Sequence, residues 1–145
     1  MTRAILDDHL LRDLLADDTP AALAELLSSL EPATTNLYLY RLAKSVASSS
    51  GGAVTGGWSA EHRQALGARL LSLPADVEIV PMREVAYRMA EIASAHRVST
   101  LGAECVAAAE HLGAPLCVWS GDDGPSIRSA SAAVGIEYVT IDRQP

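Results

Sequence analysis

Carboxylates follow two short apolar runs of the sequence, where a sheet protein would do its chemistry. The run 4–6 leads directly into Asp7-Asp8, and the run 115–119 is followed, two residues later, by Asp122-Asp123. An apolar run without polar alternation is typical of a strand covered on both faces, as in a parallel sheet. Ligands bind beyond the carboxyl ends of such strands. We therefore expect the residues 120–123 to meet Asp7-Asp8 in one crevice.

Other residue types that could act in catalysis, phosphate binding or metal binding lack the spacing that these functions require. Ser120 follows an apolar run, but its flanking residues do not form the G-x-S-x-G turn of a serine hydrolase. The glycine pairs between 51 and 57 lack the lysine and the preceding strand of a phosphate loop. The histidines show no metal-binding spacing such as i, i+4, and we expect each to be a solvated surface residue: His9, His62, His96 and His111.

The elements that position these side chains are short strands alternating with helical patterns. Strands are expected near 3–6, 77–80, 115–119 and 136–140, which predicts a parallel sheet of about four strands joined by right-handed crossovers. Helices on both faces would make an α/β fold, a three-layer α/β/α sandwich. Glu31-Pro32 breaks the helical pattern between the second and third helices.

Residues 1–145 are expected to form a single domain. The run SSSGGAVTGG at 48–57 is rich in residues that are costly to order, and we interpret it as a flexible loop rather than a domain boundary. Asp7 or Asp8 can cap the first helix, and Thr34 or Thr35 the third, through a side-chain oxygen.

The composition restricts the classes of function. A formal net charge of −7 argues against a general nucleic-acid surface, because phosphate binding depends on clustered Lys and Arg. Neither a signal-peptide pattern nor a run of about 18 apolar residues occurs, so we expect a cytoplasmic protein without a membrane span. Cys105 and Cys117 lie in apolar patterns and are interpreted as small buried hydrophobes, which suits a reducing compartment.

Several stretches resemble the PIN domain, the small nuclease fold used by many bacterial toxin ribonucleases. They are ILDDHLLRDLL at 5–15, TTNLYLYRLAKS at 34–45, STLGAECVAAAEHLGAPLCVWS at 99–120 and VGIEY at 134–138. The resemblance implies four acids: one after the first strand, a Glu in the helix after the threonine-rich turn, an Asp opening the long helix, and an Asp after the strand that follows it. In that family these acids hold Mg²⁺ or Mn²⁺, which activates water at an RNA phosphate.

The match of the acids is incomplete. The first falls on Asp7, whereas the others fall on Arg41, Gly102 and Ser120. A guanidinium offers no oxygen ligand to a hard cation and repels it. We therefore expect a degenerate site that binds no metal, with Asp7 as the one ligand if any ion does bind. In place of the metal, Arg41 is predicted to reach across the crevice to Asp7 as a bidentate ion pair.

Two functions remain open from the sequence. In the first, the chain is a PIN-like binding or interaction module without metal-dependent nuclease activity. In the second, it is a toxin-like Mg²⁺- or Mn²⁺-dependent ribonuclease whose rearranged acids are Asp7, Asp8, Asp122 and Asp123. Glu104 is excluded from that set because it lies two helix positions after Gly102 and should face elsewhere.

Partners are expected mainly from the resemblance, which implies a homodimer. A different protein partner and RNA are further candidates. Tyr38 and Tyr40, with Trp58, could stack on bases, but aromatic residues in a leucine-rich helix more often pack in a core or a dimer interface.

Overall fold

A five-stranded parallel sheet forms the centre of the computed structural model, which describes residues 2–143. The spatial order is β3-β2-β1-β4-β5. The bounds are β1 (Arg3–Leu6), β2 (Glu31–Thr34), β3 (Glu78–Ile79), β4 (Leu116–Trp119) and β5 (Tyr138–Ile141). All four pairings are parallel. The predicted α/β fold with a parallel sheet is confirmed.

The sheet has one strand more than the about four predicted, because β2 lies where Glu31-Pro32 was interpreted only as a break. Pro32 pairs with Ala4 of β1, whereas β3 pairs only with Ala33 and Thr34. Pro32 thus lies where the strand is open on one side, a position at which proline is tolerated.

Helices cover both faces of the sheet. Their bounds are α1 (Asp8–Leu15), α2 (Ala21–Leu26), α3 (Asn36–Ala47), α4 (Gly52–Thr55), α5 (Ala60–Leu71), α6 (Met82–Ala95), α7 (Thr100–Leu112) and α8 (Pro125–Val134), and a 3-10 turn follows β4 at Ser120–Asp122. Successive residues of a strand point to opposite faces. Ile5 accordingly packs with α6 and α7, while Ala4 and Leu6 pack with α1 and α2. This is the predicted three-layer sandwich.

Three helices begin beside the carboxyl end of the sheet or at the crevice, and each has a side-chain N-cap. Asp7 accepts a hydrogen bond from Leu10 N in α1, and Thr35 accepts one from Tyr38 N in α3. Ser99 caps α7 in the same way. Each cap satisfies one of the amide groups that a helix start leaves unpaired.

The segment 48–57, predicted as a loop, contains the one-turn helix α4. Ser45 Oγ accepts hydrogen bonds from Val54 N (3.2 Å) and Thr55 N (2.9 Å), and both Val54 and Thr55 are buried. Gly51, with φ of 82°, makes the turn into the helix. The segment is thus anchored to α3 by a side chain that sequence patterns did not single out.

Both cysteines are buried and free, as the sequence predicts. Burial raises the pKa of each thiol to about 12, so neither is a thiolate near neutral pH. Within residues 2–143, no helix combines the length and the apolar character needed to span a membrane.

Candidate functional site

A cavity of about 220 Å³ lies at the carboxyl ends of β1 and β4. These strands are hydrogen-bonded neighbours, with Leu6 opposite Cys117, so the residues that follow them converge as predicted. We call this cavity the acidic crevice. Its lining comprises four acids, two cationic or basic side chains and a mostly apolar remainder: Asp7, Asp8, His9, Tyr38, Arg41, Leu101, Val118, Asp122, Asp123, Gly124, Ile127 and Tyr138.

Asp7 is a buried carboxylate at the base of the crevice, with 4% of its surface exposed. Its Oδ1 accepts the α1 capping bond from Leu10 N at 2.9 Å. Burial is the main reason that the pKa of Asp7 rises to about 7, and the capping bond opposes that rise. Burial therefore makes this carboxyl easier to protonate than an exposed aspartate, whereas a nearby cation favours its charged form.

Asp8 is also buried, with 2% of its surface exposed. Its Oδ1 accepts from His9 N at 2.9 Å and lies 3.0 Å from His9 Nδ1. Arg41 Nη1 lies 3.3 Å from the other oxygen, Oδ2, but the geometry is not that of a hydrogen bond, so this oxygen has no hydrogen-bond partner among the described residues. The contact with Arg41 is therefore an ion pair only.

Arg41 enters the crevice as predicted, but its partner is Asp8 and not Asp7. The reason is that one oxygen of Asp7 is held by the first turn of α1, whereas Asp8 Oδ2 is free of such a bond. The arginine is less buried than its partner, since 43% of its side chain is exposed. The predicted bidentate pair with Asp7 is thus corrected to a single contact with Asp8.

His9 belongs to the crevice, which the sequence analysis missed. Its side chain is 21% exposed rather than fully solvated, and its Nδ1 lies 3.9 Å from Asp122 Oδ2. The pKa of His9 is raised, chiefly by the hydrogen bond with Asp8. The signal was present in the sequence, because His9 follows Asp7 by two residues at the end of a buried strand, but the i, i+4 criterion does not detect it.

Asp122 and Asp123 take different roles although they are neighbours. Asp123 accepts hydrogen bonds from Arg128 Nη2 at 2.7 Å and from the Tyr138 hydroxyl at 2.8 Å. The bond from Arg128 is the main reason that the pKa of Asp123 is lowered. Within residues 2–143, no comparable hydrogen bond reaches Asp122, whose Oδ2 lies 3.9 Å from His9 Nδ1. Of the two acids, Asp122 is the one available to a ligand.

The start of α7 presents an apolar wall where the resemblance calls for an acid. Gly102 is buried, and a Cβ there would overlap Val98 Cγ2 and lie 3.0 Å from Ile127 Cγ1. Leu101 and Ile127 line the crevice instead. Ser120, the fourth matched position, is exposed in the 3-10 turn and does not line the crevice. Neither position supplies an oxygen ligand to the crevice.

Glu104 points away from the crevice, as predicted, and it is fully buried. It accepts hydrogen bonds from Leu37 N at 2.8 Å and from Asn36 Nδ2 at 3.0 Å, at the start of α3. Asn36 Nδ2 also donates to Val80 O. The sequence did not indicate this role, because nothing in a helical pattern shows which neighbouring helix end a carboxylate will meet.

The three aromatic residues considered for base stacking do not share a surface. Tyr38 is buried and lines the crevice, whereas Tyr40 is 62% exposed. Trp58 lines a separate cavity of about 360 Å³ between α1 and α5. The arrangement offers no continuous stacking platform.

The ligand atoms that the lining residues offer determine which cation the acidic crevice could bind. Asp7, His9 and Asp122 each offer one ligand atom, and these atoms lie within 4.8 Å of one another. Mg²⁺ requires a near-octahedral shell of oxygen atoms. The rest of the lining includes Asp8, which is paired with Arg41, and Asp123, which is bonded to Arg128 and Tyr138, beside the apolar Leu101 and Ile127. The lining therefore differs from the all-acid set that the resemblance implies.

The sheet order and the helices on its two faces define a PIN-like fold, which confirms the resemblance. The chain is similar to FitAcB from Neisseria gonorrhoeae, with a TM-score of 0.63 and 14% identity over 94% of this chain and 96% of that chain. It is also similar to FitAB bound to an IR36 DNA fragment, with a TM-score of 0.61 and 12% identity over 97% and 94% of the two chains. A third similar structure is PAE2754 from Pyrobaculum aerophilum, with a TM-score of 0.52 and 15% identity over 99% and 90%. Neither a protein-family model nor a curated protein matches the sequence.

Proposed function

We propose that this PIN-like protein is a binding module that does not cleave RNA with Mg²⁺ or Mn²⁺. The observation that carries the proposal is the position of Arg41, whose guanidinium lies 3.3 Å from Asp8 inside the acidic crevice. A guanidinium stays charged at all physiological pH values and has no lone pair for a metal. Where the resembled family has a ligand, this chain has a cation.

Two further features support the absence of a nuclease site. The wall at Leu101 and Ile127 offers no ligand, and Asp123 is held by Arg128 and Tyr138. Metal-assisted hydrolysis needs a cation fixed well enough to activate water and to stabilise charge on the phosphate. The guanidinium of Arg41 beside Asp8 opposes a second cation among the carboxylates that remain.

An RNA-cleavage assay tests the proposal. The tag-free chain is incubated with single-stranded RNA of mixed sequence in millimolar Mg²⁺, and separately in Mn²⁺. Asp7→Asn is the matched control, because asparagine also caps helices well and the fold should be kept. We expect both proteins to leave the RNA equally intact. Cleavage that is faster in the wild-type chain than in the variant would contradict the proposal, and cleavage equal in both would indicate a contaminating ribonuclease.

The alternative is a toxin-like ribonuclease with rearranged acids, and one observation favours it. Asp7, His9 and Asp122 place their ligand atoms within 4.8 Å of one another. In that case, cleavage in Mn²⁺ would be lost in Asp122→Asn as well as in Asp7→Asn. Asp123→Asn would retain it, because both oxygens of Asp123 are already bonded to Arg128 and Tyr138.

The binding partner is proposed to be a protein, in the first place a second copy of this chain. The net charge of −7 disfavours RNA as the main ligand. FitAB, which is similar in fold, is described as bound to a DNA fragment, but the likeness extends only to the fold. Light scattering at micromolar concentration is expected to give the mass of a dimer, and a monomer would exclude the homodimer.

A further inference from the structure

We propose that the cavity between α1 and α5 binds a small organic anion, namely a carboxylate on a flat apolar body. We call this cavity the α1–α5 cleft, and define it by its apolar walls and its charged base: Leu15, Pro20, Trp58 and Leu66, with Asp13 and Arg143. Within residues 2–143, it shares no lining residue with the acidic crevice. The inference therefore goes beyond the proposed function and does not depend on whether the crevice cleaves RNA.

The first argument is the size and the apolar character of the cleft. Its volume is about 360 Å³, at the lower end of the range of roughly 300–1,000 Å³ for small-molecule pockets. Leu15 and Leu66 are both buried, each with 2% of its surface exposed. Trp58 adds an aromatic wall. A flat apolar body can therefore be buried here against aliphatic and aromatic carbon.

The indole ring of Trp58 is fixed by its neighbours. The guanidinium of Arg12 lies 5.8 Å from the ring centroid. The ring of His62 stands edge-on to the indole, with the two centroids 6.0 Å apart. A wall that is already ordered costs little further entropy when a ligand packs against it. The cleft is thus prepared for a ligand on its aromatic side.

The second argument is a surplus of positive charge at the base of the cleft. Asp13 is 7% exposed and is paired with both Arg12 and Arg143. Arg12 Nε and Nη2 donate to the two oxygens of Asp13 at 2.9 and 3.0 Å, and Arg12 Nη1 donates to Val54 O at 2.7 Å. One carboxylate thus faces two permanent cations. An anion beside them would balance the extra charge, which is costly to keep in a partly buried place.

Arg143 is the cation that can reach such an anion. Its Nη2 donates to Asp13 Oδ2 at 2.9 Å, and within residues 2–143 no other hydrogen bond holds the guanidinium. The group lies 4.5 Å from the ring centroid of Trp119, which keeps it at the base while 48% of its side chain is exposed. The other N–H groups of a guanidinium form a planar fork that suits a carboxylate.

Two further acids line the exposed edge of the cleft. Asp17 is paired with Arg69, which also donates to Leu15 O. Asp18 is exposed, so its charge is screened by water and salt. These acids are expected to lower the affinity for an anion without cancelling the charge at the base.

Titration of the isotope-labelled, tag-free chain with sodium cinnamate, followed by NMR, tests the proposal. Cinnamate is a carboxylate on a flat apolar body. We expect saturable shifts of the Ala16 and Ala65 amide signals and of the Trp58 indole N–H, with a dissociation constant below about 1 mM. Cinnamamide is the matched ligand, because it has the same shape without the charge. It should bind roughly tenfold more weakly.

Replacement of the cation tests the role of Arg143. Arg143→Gln should lower the affinity for cinnamate roughly tenfold and leave that for cinnamamide unchanged, because only the partner of the charge is removed. Arg83→Gln is the matched control, since Arg83 is exposed on α6 and does not line the cleft. It should bind cinnamate like the wild type.

A second variant keeps the test decisive if Arg143→Gln disturbs the fold. Ala65 is exposed and lines the cleft, so Ala65→Phe fills the space without changing the core. This variant should bind neither ligand. Ala68→Phe, at an exposed position of α5 outside the cleft lining, should bind cinnamate like the wild type.

Four results would overturn the proposal. They are the absence of saturable shifts, shifts confined to residues outside the cleft, equal affinities for cinnamate and cinnamamide, and an affinity for cinnamate unchanged in Arg143→Gln or in Ala65→Phe. Cleavage of RNA would overturn only the proposed function.

Discussion

Asp7 shows how one side chain both builds the fold and places a charge in the crevice. Its oxygen starts α1, while its burial raises its pKa to about 7. A carboxyl that is easier to protonate when folded makes the folded state less stable as the pH rises from its unfolded pKa of 3.8 towards 7. Above pH 7 the folded state has lost the full amount of this stability.

Asp7→Asn is therefore expected to raise the melting temperature in the presence of a chelator. Asparagine keeps the cap but removes the charge. The gain over the wild type should be small near pH 4, should grow up to about pH 7 and should then level off, with an upper bound of about 4 kcal/mol for a shift of about three pKa units. Melting curves across this pH range measure it. The exposed Asp18→Asn serves as the control, and equal melting of wild type and Asp7→Asn at pH 8 would contradict the account.

Two contacts at the start of α7, one apolar and one polar, shape the acidic crevice. Gly102 lets Val98 and Ile127 close over the helix, and Glu104 holds the first turn of α3, the helix that carries Arg41. The apolar contact removes a ligand position, and the polar contact fixes the helix that delivers the arginine. Both contacts form because the starts of α7 and α3 pack at the edge of the sheet where the crevice lies.

Gly102→Ala is expected to destabilise the protein. Alanine in a helix is favoured over glycine by about 1 kcal/mol, but overpacking a filled core costs about 1–3 kcal/mol. The clash with Val98 opposes the gain in helix propensity, and the difference between the two ranges gives a net loss of up to about 2 kcal/mol in the free energy of unfolding. Urea denaturation measures this loss. Gly121→Ala is the matched control, since a Cβ there meets nothing within 4 Å. Equal stability of the two variants would disprove the packing argument.

Glu104→Gln should also lower stability, because the buried amide can no longer accept from both Asn36 and Leu37. The expected loss is about 1–3 kcal/mol, the range for an unsatisfied buried polar group. The exposed Glu110→Gln, which loses a surface ion pair with Arg88, should change stability by less than about 1 kcal/mol. An equal loss of stability in both variants would contradict the role assigned to Glu104 in holding the start of α3.

The sequence predicts which residues line the crevice better than it predicts which of those residues contact one another. Apolar runs followed by acids locate Asp7, Asp8 and Asp122 correctly, because parallel strands end at one edge of a sheet. The partner of Arg41 could not be chosen, since Asp7 and Asp8 are adjacent and only the capping bond of Asp7 separates their roles. Strand β2 was missed because Glu31-Pro32 carries no alternation, and four residues with a proline give little pattern to detect.

A hydrogen-bond network centred on Asp13 links one helical layer to the sheet. Asp13 in α1 is hydrogen-bonded by Arg12, by Trp119 Nε1 of β4 at 2.9 Å and by Arg143 Nη2 at 2.9 Å. Burial alone would raise the pKa of Asp13. The pKa is nevertheless lowered, by the hydrogen bond and charge of Arg12, the charge of Arg143 and the hydrogen bond from Trp119. The network links the first helix, a central strand and the residues after β5.

Asp13→Asn is expected to destabilise the chain by roughly 3 kcal/mol at neutral pH, the lower end for breaking a buried ion pair. A lowered pKa contributes stability above the unfolded value of 3.8, and this contribution is lost as the pH falls through the folded pKa. The difference between wild type and variant should therefore shrink below about pH 4. Thermal melts at pH 7 and at pH 3 measure it, and a difference that stays constant between these pH values would contradict the electrostatic origin.

The whole molecule combines a PIN-like fold with an acidic crevice in which, as proposed above, the charge of Arg41 disfavours Mg²⁺. Titration of the isotope-labelled, tag-free chain with MgCl₂, followed by the amide NMR signals of Asp7, Asp8 and Asp122, tests this most directly. We expect no saturable shift of these signals up to millimolar Mg²⁺. Saturable shifts at these three residues that vanish in Asp7→Asn would contradict it.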